Sequence, residues 1–341
     1  EEDFMPNLSF LDFGKIRASW GQNGNENIGD FNFTSLISQG HYYNFGLNQT
    51  LYNGIQPAFL PNADLRWEAS EQLDFGLDLM LLDGKIGITF DYYEKTNKDW
   101  LLDGTGNYPR VLGNLVGTIN AGEVKNTGYE LEINYKEIFS NGIQVNVGLS
   151  GSTNKNEVTE IIEGTDHLLG AGGGHGQGTI LRGTVGMPLG YFWGYKTDGI
   201  FNHPAELAKA PHQPFAEVGD LIFVDTNEDG TLDETDKQEL GTPYPKLMMG
   251  LNLSVEYKNF DLSTFWYSAM GHQIWNATRR ADLIVSNYST TILDRWTESN
   301  TDTSIPRVTS SDLNRSWRNP SDFYLEDADY LRLKNITLGY T

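Results

Sequence analysis

Residues 224–236 gather oxygen donors at spaced positions: Asp225, Asn227, Asp229, Asp233 and Asp236, with Gly230 and Thr231 among them. The order D-x-N-x-D-G-x-L-D-x-x-D has the ligand spacing of an EF-hand calcium loop. Calcium is a hard cation that collects oxygens, and one tight turn can aim alternate side chains at a common centre. On this reading Asp225, Asn227 and Asp229 supply the first side-chain ligands, Gly230 makes the sharp turn and Thr231 offers its backbone carbonyl. Asp233 acts through a water, Asp236 closes the cage, and Leu232 packs the loop onto the protein. Asp236 stands where a longer Glu is usual, so it binds through one oxygen. The competing reading is a turn rich in Asn, Asp and Gly that needs no metal. No helix pair flanks the stretch, so the expected role is a structural staple in a loop, not a calcium sensor.

Other chemistry-bearing groups carry less. Glu130 and Glu132 could pair as glycosidase carboxylates, but i, i+2 spacing on a strand gives every polar strand face such a pair. The six His (41, 167, 175, 203, 212 and 272) form no close metal-ligand pair, and none accompanies a Ser nucleophile motif. The run Leu169–Gly176 is a flexible glycine-rich segment without the Lys, strand and helix of a phosphate loop. No enzymatic activity is expected. The loop aromatics Tyr42, Tyr43, Trp193, Trp275, Trp296 and Trp317 are candidate stacking surfaces for a solute such as a sugar. Their alternative role is to anchor loops or to sit at a membrane interface, the role expected of Trp20, Trp100 and Trp266. Asn32-Phe33-Thr34 matches a glycosylation acceptor by chance.

The elements that must position these groups show themselves by alternation. Leu73, Phe75, Leu77, Leu79 and Leu81 occupy odd positions; after Asp83-Gly84, Ile86, Ile88, Phe90 and Tyr92 occupy even ones. An Asp-Gly hairpin pairs Leu81 with Ile86, Leu79 with Ile88 and Leu77 with Phe90, so both sets share a face. The pattern recurs at 129–149 around Ser140-Asn141-Gly142 and at 249–266 around Lys258-Asn259. Weaker strands are expected near Ile16–Trp20 and Leu331–Tyr340, the latter with a bulge at Lys334-Asn335. Tight turns alternate with long connections at about 23–69, 98–126, 155–246 and 271–329. These connections hold smaller elements: a hairpin within Phe31–Phe45, a helical turn at Pro204–Lys209 and a strand-like Tyr191–Tyr195. The calcium-like loop is expected to order backbone that has no sheet or hydrophobic core of its own.

Short turns on one side and long loops on the other are the asymmetry of an outer-membrane barrel. The polar strand face, with Asp74, Asp78, Asp91, Glu130, Glu132 and Glu256, suits a wide lumen. The composition agrees with a turn-rich β protein: Gly 37 and aromatics at 12 %. A net charge of −22 excludes a nucleic-acid binder, and the absence of Cys excludes disulfides and thiolate metal sites. No apolar run reaches the length of a membrane helix, which leaves a strand-built membrane protein open. The chain begins at Glu1 without a signal peptide, as expected of a piece of a longer protein.

Several stretches then resemble one family, the SusC/RagA type of TonB-dependent outer-membrane transporter. They are Lys15–Asn25, Leu65–Glu68, Asn120–Glu130, Gly186–Phe201, the calcium-like loop followed by Leu240-Gly241, Arg295–Thr297 with Ile305–Val308, and Tyr330–Tyr340. They span nearly the whole chain in family order. The resemblance implies an all-β fold: about eight antiparallel up-and-down strands of a barrel of roughly 22. Residues 1–341 are then one partial barrel domain, with the plug, the TonB box and the last strands elsewhere. It further implies an outer-membrane location and a SusD-like surface lipoprotein as partner. TonB acts through the absent N-terminal region, lipid surrounds the wall, and the cargo is a glycan, peptide or other nutrient. The other reading is a secreted all-β glycan-binding module stabilised by calcium. A module must bury its apolar strand faces against a second sheet, whereas a barrel turns them to lipid.

Overall fold

In the computed structural model the described residues are 10–26, 28, 33–104, 111, 116–174, 176–283 and 287–341. Phe31, Asn32 and His175 therefore lie outside them. Eight long strands form one antiparallel meander in chain order. They are β1 (Leu11–Asn25), β2 (Glu68–Leu81), β3 (Ile86–Lys98), β4 (Gly122–Ile138), β5 (Ile143–Thr153), β6 (Leu247–Tyr257), β7 (Phe260–Met270) and β8 (Tyr330–Tyr340). Lys155–Ile161 continues β5 along β4, with Lys155 opposite Thr127 and Ile161 opposite Gly122. The sheet does not close; β1 and β8 are its edges.

The turns fix the register. Leu81 faces Ile86, Leu79 faces Ile88 and Leu77 faces Phe90, as the parity switch requires. Leu82, Asp83 and Gly84 have φ of 59°, 57° and 74°, a left-handed run that reverses the chain between Leu81 and its partner Ile86. The Phe139–Ile143 turn ends in Gly142 at φ 84°, and Lys258-Asn259 joins Tyr257 to its partner Phe260. The expected bulge is present in β8: Asn335 pairs with Phe265 and Leu333 with Trp266, leaving Lys334 over. The strands run to 17 residues, longer than the 10–12 that alternation alone suggests. At ~3.4 Å per residue, β4 exceeds the ~9–11 residues of a tilted bilayer crossing. Its surplus projects at the long-connection end.

Parity then separates two faces across the sheet. One row reads Gly14, Leu79, Ile88, Ile133, Leu149, Leu251, Trp266, Leu333, each paired to the next. The adjacent row reads Lys15, Asp78, Thr89, Glu132, Ser150, Gly250, Tyr267, Arg332. Nothing among the described residues covers the apolar row's face. Ile16 is 85 % exposed and Leu338 74 %.

The buried core lies in the long connections. Tyr195, Ile200, Leu221, Phe223 and Leu232 form a cluster, with Trp296 and Phe323 packed on it. Short sheets frame it: Thr197–Ile200 with Leu221–Phe223, and a four-stranded sheet of Leu168–Leu169, Leu181–Gly183, Tyr191–Gly194 and Gln238–Gly241. This corrects the expectation that connection 155–246 has no sheet or core of its own. The helical turn is Pro204–Leu207. The hairpin expected within Phe31–Phe45 lies further on: Ile37–Phe45 is one strand, and its partner Thr50–Pro57 follows Phe45, the two forming a separate sheet.

Candidate functional site

The loop 224–236 leaves the strand Leu221–Phe223 and returns through a short 3-10 turn, Glu234–Asp236. Leu232 is in the core cluster and fastens the loop to the protein, as its place in the motif requires. Gly230 has φ 88° and supplies the sharp turn. Carboxylates and amides close the loop from within. Asp225 Oδ2 accepts the Gly230 N–H at 2.8 Å, Asn227 Oδ1 accepts the Asp229 N–H at 2.9 Å, and Asp229 Oδ1 accepts the Thr231 N–H at 2.8 Å. Asp233 Oδ1 accepts both the amide and the hydroxyl of Thr235, which hold its carboxyl below the usual range.

Asp236 is fully buried, and its two oxygens take the amides of Thr226 and Asp233 at 2.9 and 2.8 Å. Asp225 Oδ1 is buried with no hydrogen-bond partner. Among the described residues no three acidic or histidine side chains converge as a metal-ligand group. The donor chemistry suits a hard cation, and Asp225 and Asp233 each commit one oxygen to the backbone.

The candidate aromatics divide by burial. Tyr42 and Tyr43 stand 64 % and 69 % exposed on the separate hairpin. Trp317 is 1 % exposed, its indole N–H donates to Arg307 O at 3.0 Å, and Tyr324 donates its hydroxyl to Trp317 O at 2.6 Å. Trp275 stacks between Phe192 and Tyr324, and Trp296 donates to Asn202 Oδ1 at 2.9 Å beside the core cluster. These three placements are those of loop anchors. Trp193 is half-buried under the Arg182 guanidinium.

A charged framework that no sequence pattern announced ties connection 271–329 to connection 155–246. Arg307 donates to Asp220, itself 2 % exposed, at 2.7 Å, and Arg307 N–H to Gly219 O at 2.8 Å. Thr197 donates its amide and hydroxyl to Asp322, and Gln213 bridges Leu221 O and Asn314. Arg280 and Asp282 pair at 2.6 Å. Burial pushes the Asp312 carboxyl up to about 6 against the pull of the Trp317 N–H. The one legible hint was the aromatic run Trp317…Phe323-Tyr324.

On the wall's polar face Arg17 bridges Asp78 and Asp91 at 2.8 and 2.9 Å. Beside them a shallow depression of about 430 Å³ is lined by Asp91, Glu130, Glu132, Ser150, Gly250 and Tyr267. Glu130 and Glu132 are thus two members of a polar wall.

The comparisons with known proteins agree with this geometry. The family described as TonB dependent receptor-like, beta-barrel, matches residues 1–340. TonB-dependent receptor P3 of Formosa agariphila is 31 % identical over 351 residues, covering 100 % of this chain and 33 % of that protein. TonB-dependent receptor SusC of Bacteroides thetaiotaomicron is 28 % identical, with 100 % and 33 % covered. This chain therefore spans about a third of the length of these relatives. A solved structure of the RagAB peptide transporter superposes with a TM-score of 0.76 at 21 % identity, over 99 % of this chain and 35 % of that one, a likeness of fold. The secreted-module reading is set aside, because among the described residues no second sheet pairs with or covers the apolar face of the eight strands, and the family is one of membrane barrels. The chain belongs to the TonB-dependent receptor β-barrel family, as a segment of an outer-membrane barrel.

Proposed function

We propose that this chain forms part of the wall and the outer cap of a transporter that imports a nutrient, a glycan or a peptide, through a polar lumen. The observation that carries the reading is the segregation of faces: an apolar row outward across the eight strands, a mostly polar face inward, and every long connection at one end. TonB acts through segments outside this chain, and a SusD-like lipoprotein covers the mouth. The hairpin Ile37–Pro57 supports that partner. It carries Ile37, Tyr43, Phe45, Leu51, Tyr52 and Ile55, all 60 % exposed or more, and no Lys, Arg, Asp or Glu. An uncharged two-stranded arm with apolar residues on both faces is marginal alone and gains stability when covered. Deleting residues 37–57 from the full-length receptor should abolish co-purification of the lipoprotein while the barrel still inserts. Unchanged co-purification would sink this assignment.

We also propose that calcium fills the loop 224–236, through Asp225, Asn227, Asp229, the Thr231 carbonyl, Asp233 and Asp236 in a rearranged pose. The ligand spacing and the unpartnered Asp225 Oδ1 support it. Outside the cell millimolar calcium suffices even for a site weakened by the short Asp236. Calorimetry on the full-length receptor should give heat with calcium that Asp225→Ala with Asp229→Ala removes; no heat at millimolar calcium would count against the site.

A further inference from the structure

The four-stranded sheet of the cap has two unlike faces. Phe192 is buried against Trp275 on one of them. On the other, the register sets Arg182 opposite Tyr191, and Trp193 N–H donates to Ile180 O, so Arg182, Tyr191 and Trp193 share a face. The Arg182 guanidinium carbon lies 4.1 Å over the Trp193 ring. Tyr191 meets that ring edge-on at 6.2 Å and has its hydroxyl tied to Thr184 Oγ1 at 2.9 Å. The cation is thereby held over a ring of the neighbouring strand.

No carboxylate lies within ion-pair distance of Arg182 among the described residues, in a protein with 46 acidic and 24 basic residues. Arg182 Nε and Trp193 Nε1 are both buried donors without an acceptor. Burial pulls the Arg182 guanidinium down from its ordinary value. Glu234, an acidic group near enough to act on it, is already held by Lys237 at 2.7 and 2.9 Å. Burial, and then Arg182 itself, push the His167 imidazole down against the opposing pull of Asp166. A partly desolvated guanidinium with no counter-ion is costly, and adjacent unmet donors mark a missing acceptor. Its planar fork matches a carboxylate with two parallel N–H···O bonds.

We propose that Arg182, backed by Trp193, is a subsite of the cap that binds the carboxylate of an acidic solute, such as a uronate or a peptide C-terminus. The proposal deepens the transporter reading by naming a cargo chemistry, yet its test reads binding and needs no transport. The full-length receptor in detergent is titrated with glucuronate and, separately, with glucose, following heat and tryptophan fluorescence. Glucuronate should bind in the millimolar range and glucose should not. Arg182→Gln should weaken glucuronate by about tenfold or more, the size of a lost charge-assisted pair. Arg182→Lys, which keeps the charge but loses the fork, should weaken it by about threefold or more. Folding of each variant is checked by heat-modifiable migration of the barrel; if Arg182→Gln misfolds, Arg182→Lys and Trp193→Phe decide. Equal affinity for glucose, no glucuronate binding, or unchanged affinity in the folded variants would overturn the proposal. So would recovery of binding only when an acidic partner protein is added, which would make Arg182 a docking residue.

Discussion

The largest fully buried side chains here, Trp317, Tyr324, Phe201, Asp220, Asp236, Pro306, Ser316 and Ser321, all lie outside the wall sheet, and Val158 sits on the extension that carries β5 past Thr153. The wall instead presents large apolar residues such as Ile16, Phe75, Ile336 and Leu338 to its surroundings. One region is completed by an apolar solvent, the other by its own packing. Lipid replaces the core for the wall, so its strands need a parity and a register but no buried centre. The cap stands in water and must bury a centre of its own, which it does with short sheets, aromatic stacking and charge pairs.

Perturbing the two regions should therefore give different responses. The largest effect is expected in the cap: Tyr324→Ala removes a fully buried ring and the hydroxyl held on Trp317 O, at a cost of about 3–5 kcal/mol. Limited proteolysis should then cut connections 155–246 and 271–329 while the barrel stays inserted. Loss of the barrel as well would show that wall and cap are one cooperative unit.

Next comes the wall. Ile133→Arg on the outward row should cost about 2–4 kcal/mol near the bilayer midplane, whereas Asn134→Arg, one residue on and inward, should cost close to nothing. Urea unfolding in lipid vesicles reads both, and equal losses would break the parity argument. A comparable shift, of about 2–3 kcal/mol at most, concerns Asp312 in the cap. Burial holds its proton up to about pH 6 in the folded state. The unfolded carboxyl releases it near pH ~3.9. The folded state thus binds more protons between those values, and cap stability falls as pH rises through that window. Asp312→Asn keeps an acceptor for the Trp317 N–H and should flatten that fall; an unchanged pH slope in cap melting would remove Asp312 as its source. The smallest effect belongs to Gly76→Ala on the polar face, where an added Cβ meets Asp91 and the Arg17 guanidinium. A loss of about 1–2 kcal/mol is expected as that ion pair shifts aside.

The same contrast explains what could be read from the chain alone. A strand with one lipid face writes its structure as a period of two, so the pairs of Leu77, Leu79 and Leu81 and the bulge at Lys334 were legible before any coordinates. The cap has no period. Asp220 meets Arg307 across 87 residues, and Thr197 meets Asp322 across 125. Such pairs leave no local trace. The loop 224–236 lies between these cases. Its turn at Gly230 and its Leu232 anchor followed from spacing, but spacing alone did not reveal that Asp236 spends both oxygens on backbone amides. Burial decided the aromatics in the same way: Trp317 and Tyr42 look alike in sequence, and packing alone separates an anchor from an exposed ring.

The chain contains no Cys, so single cysteines can be placed one at a time from Glu130 to Tyr135 along β4 in the full-length receptor. A water-soluble maleimide applied to intact outer membranes should label positions 130, 132 and 134, while an environment-sensitive fluorophore at 131, 133 and 135 should report hydrocarbon. Alternation with that phase is the predicted result. Uniform labelling, or the opposite phase, would contradict the assignment of this sheet as a barrel wall.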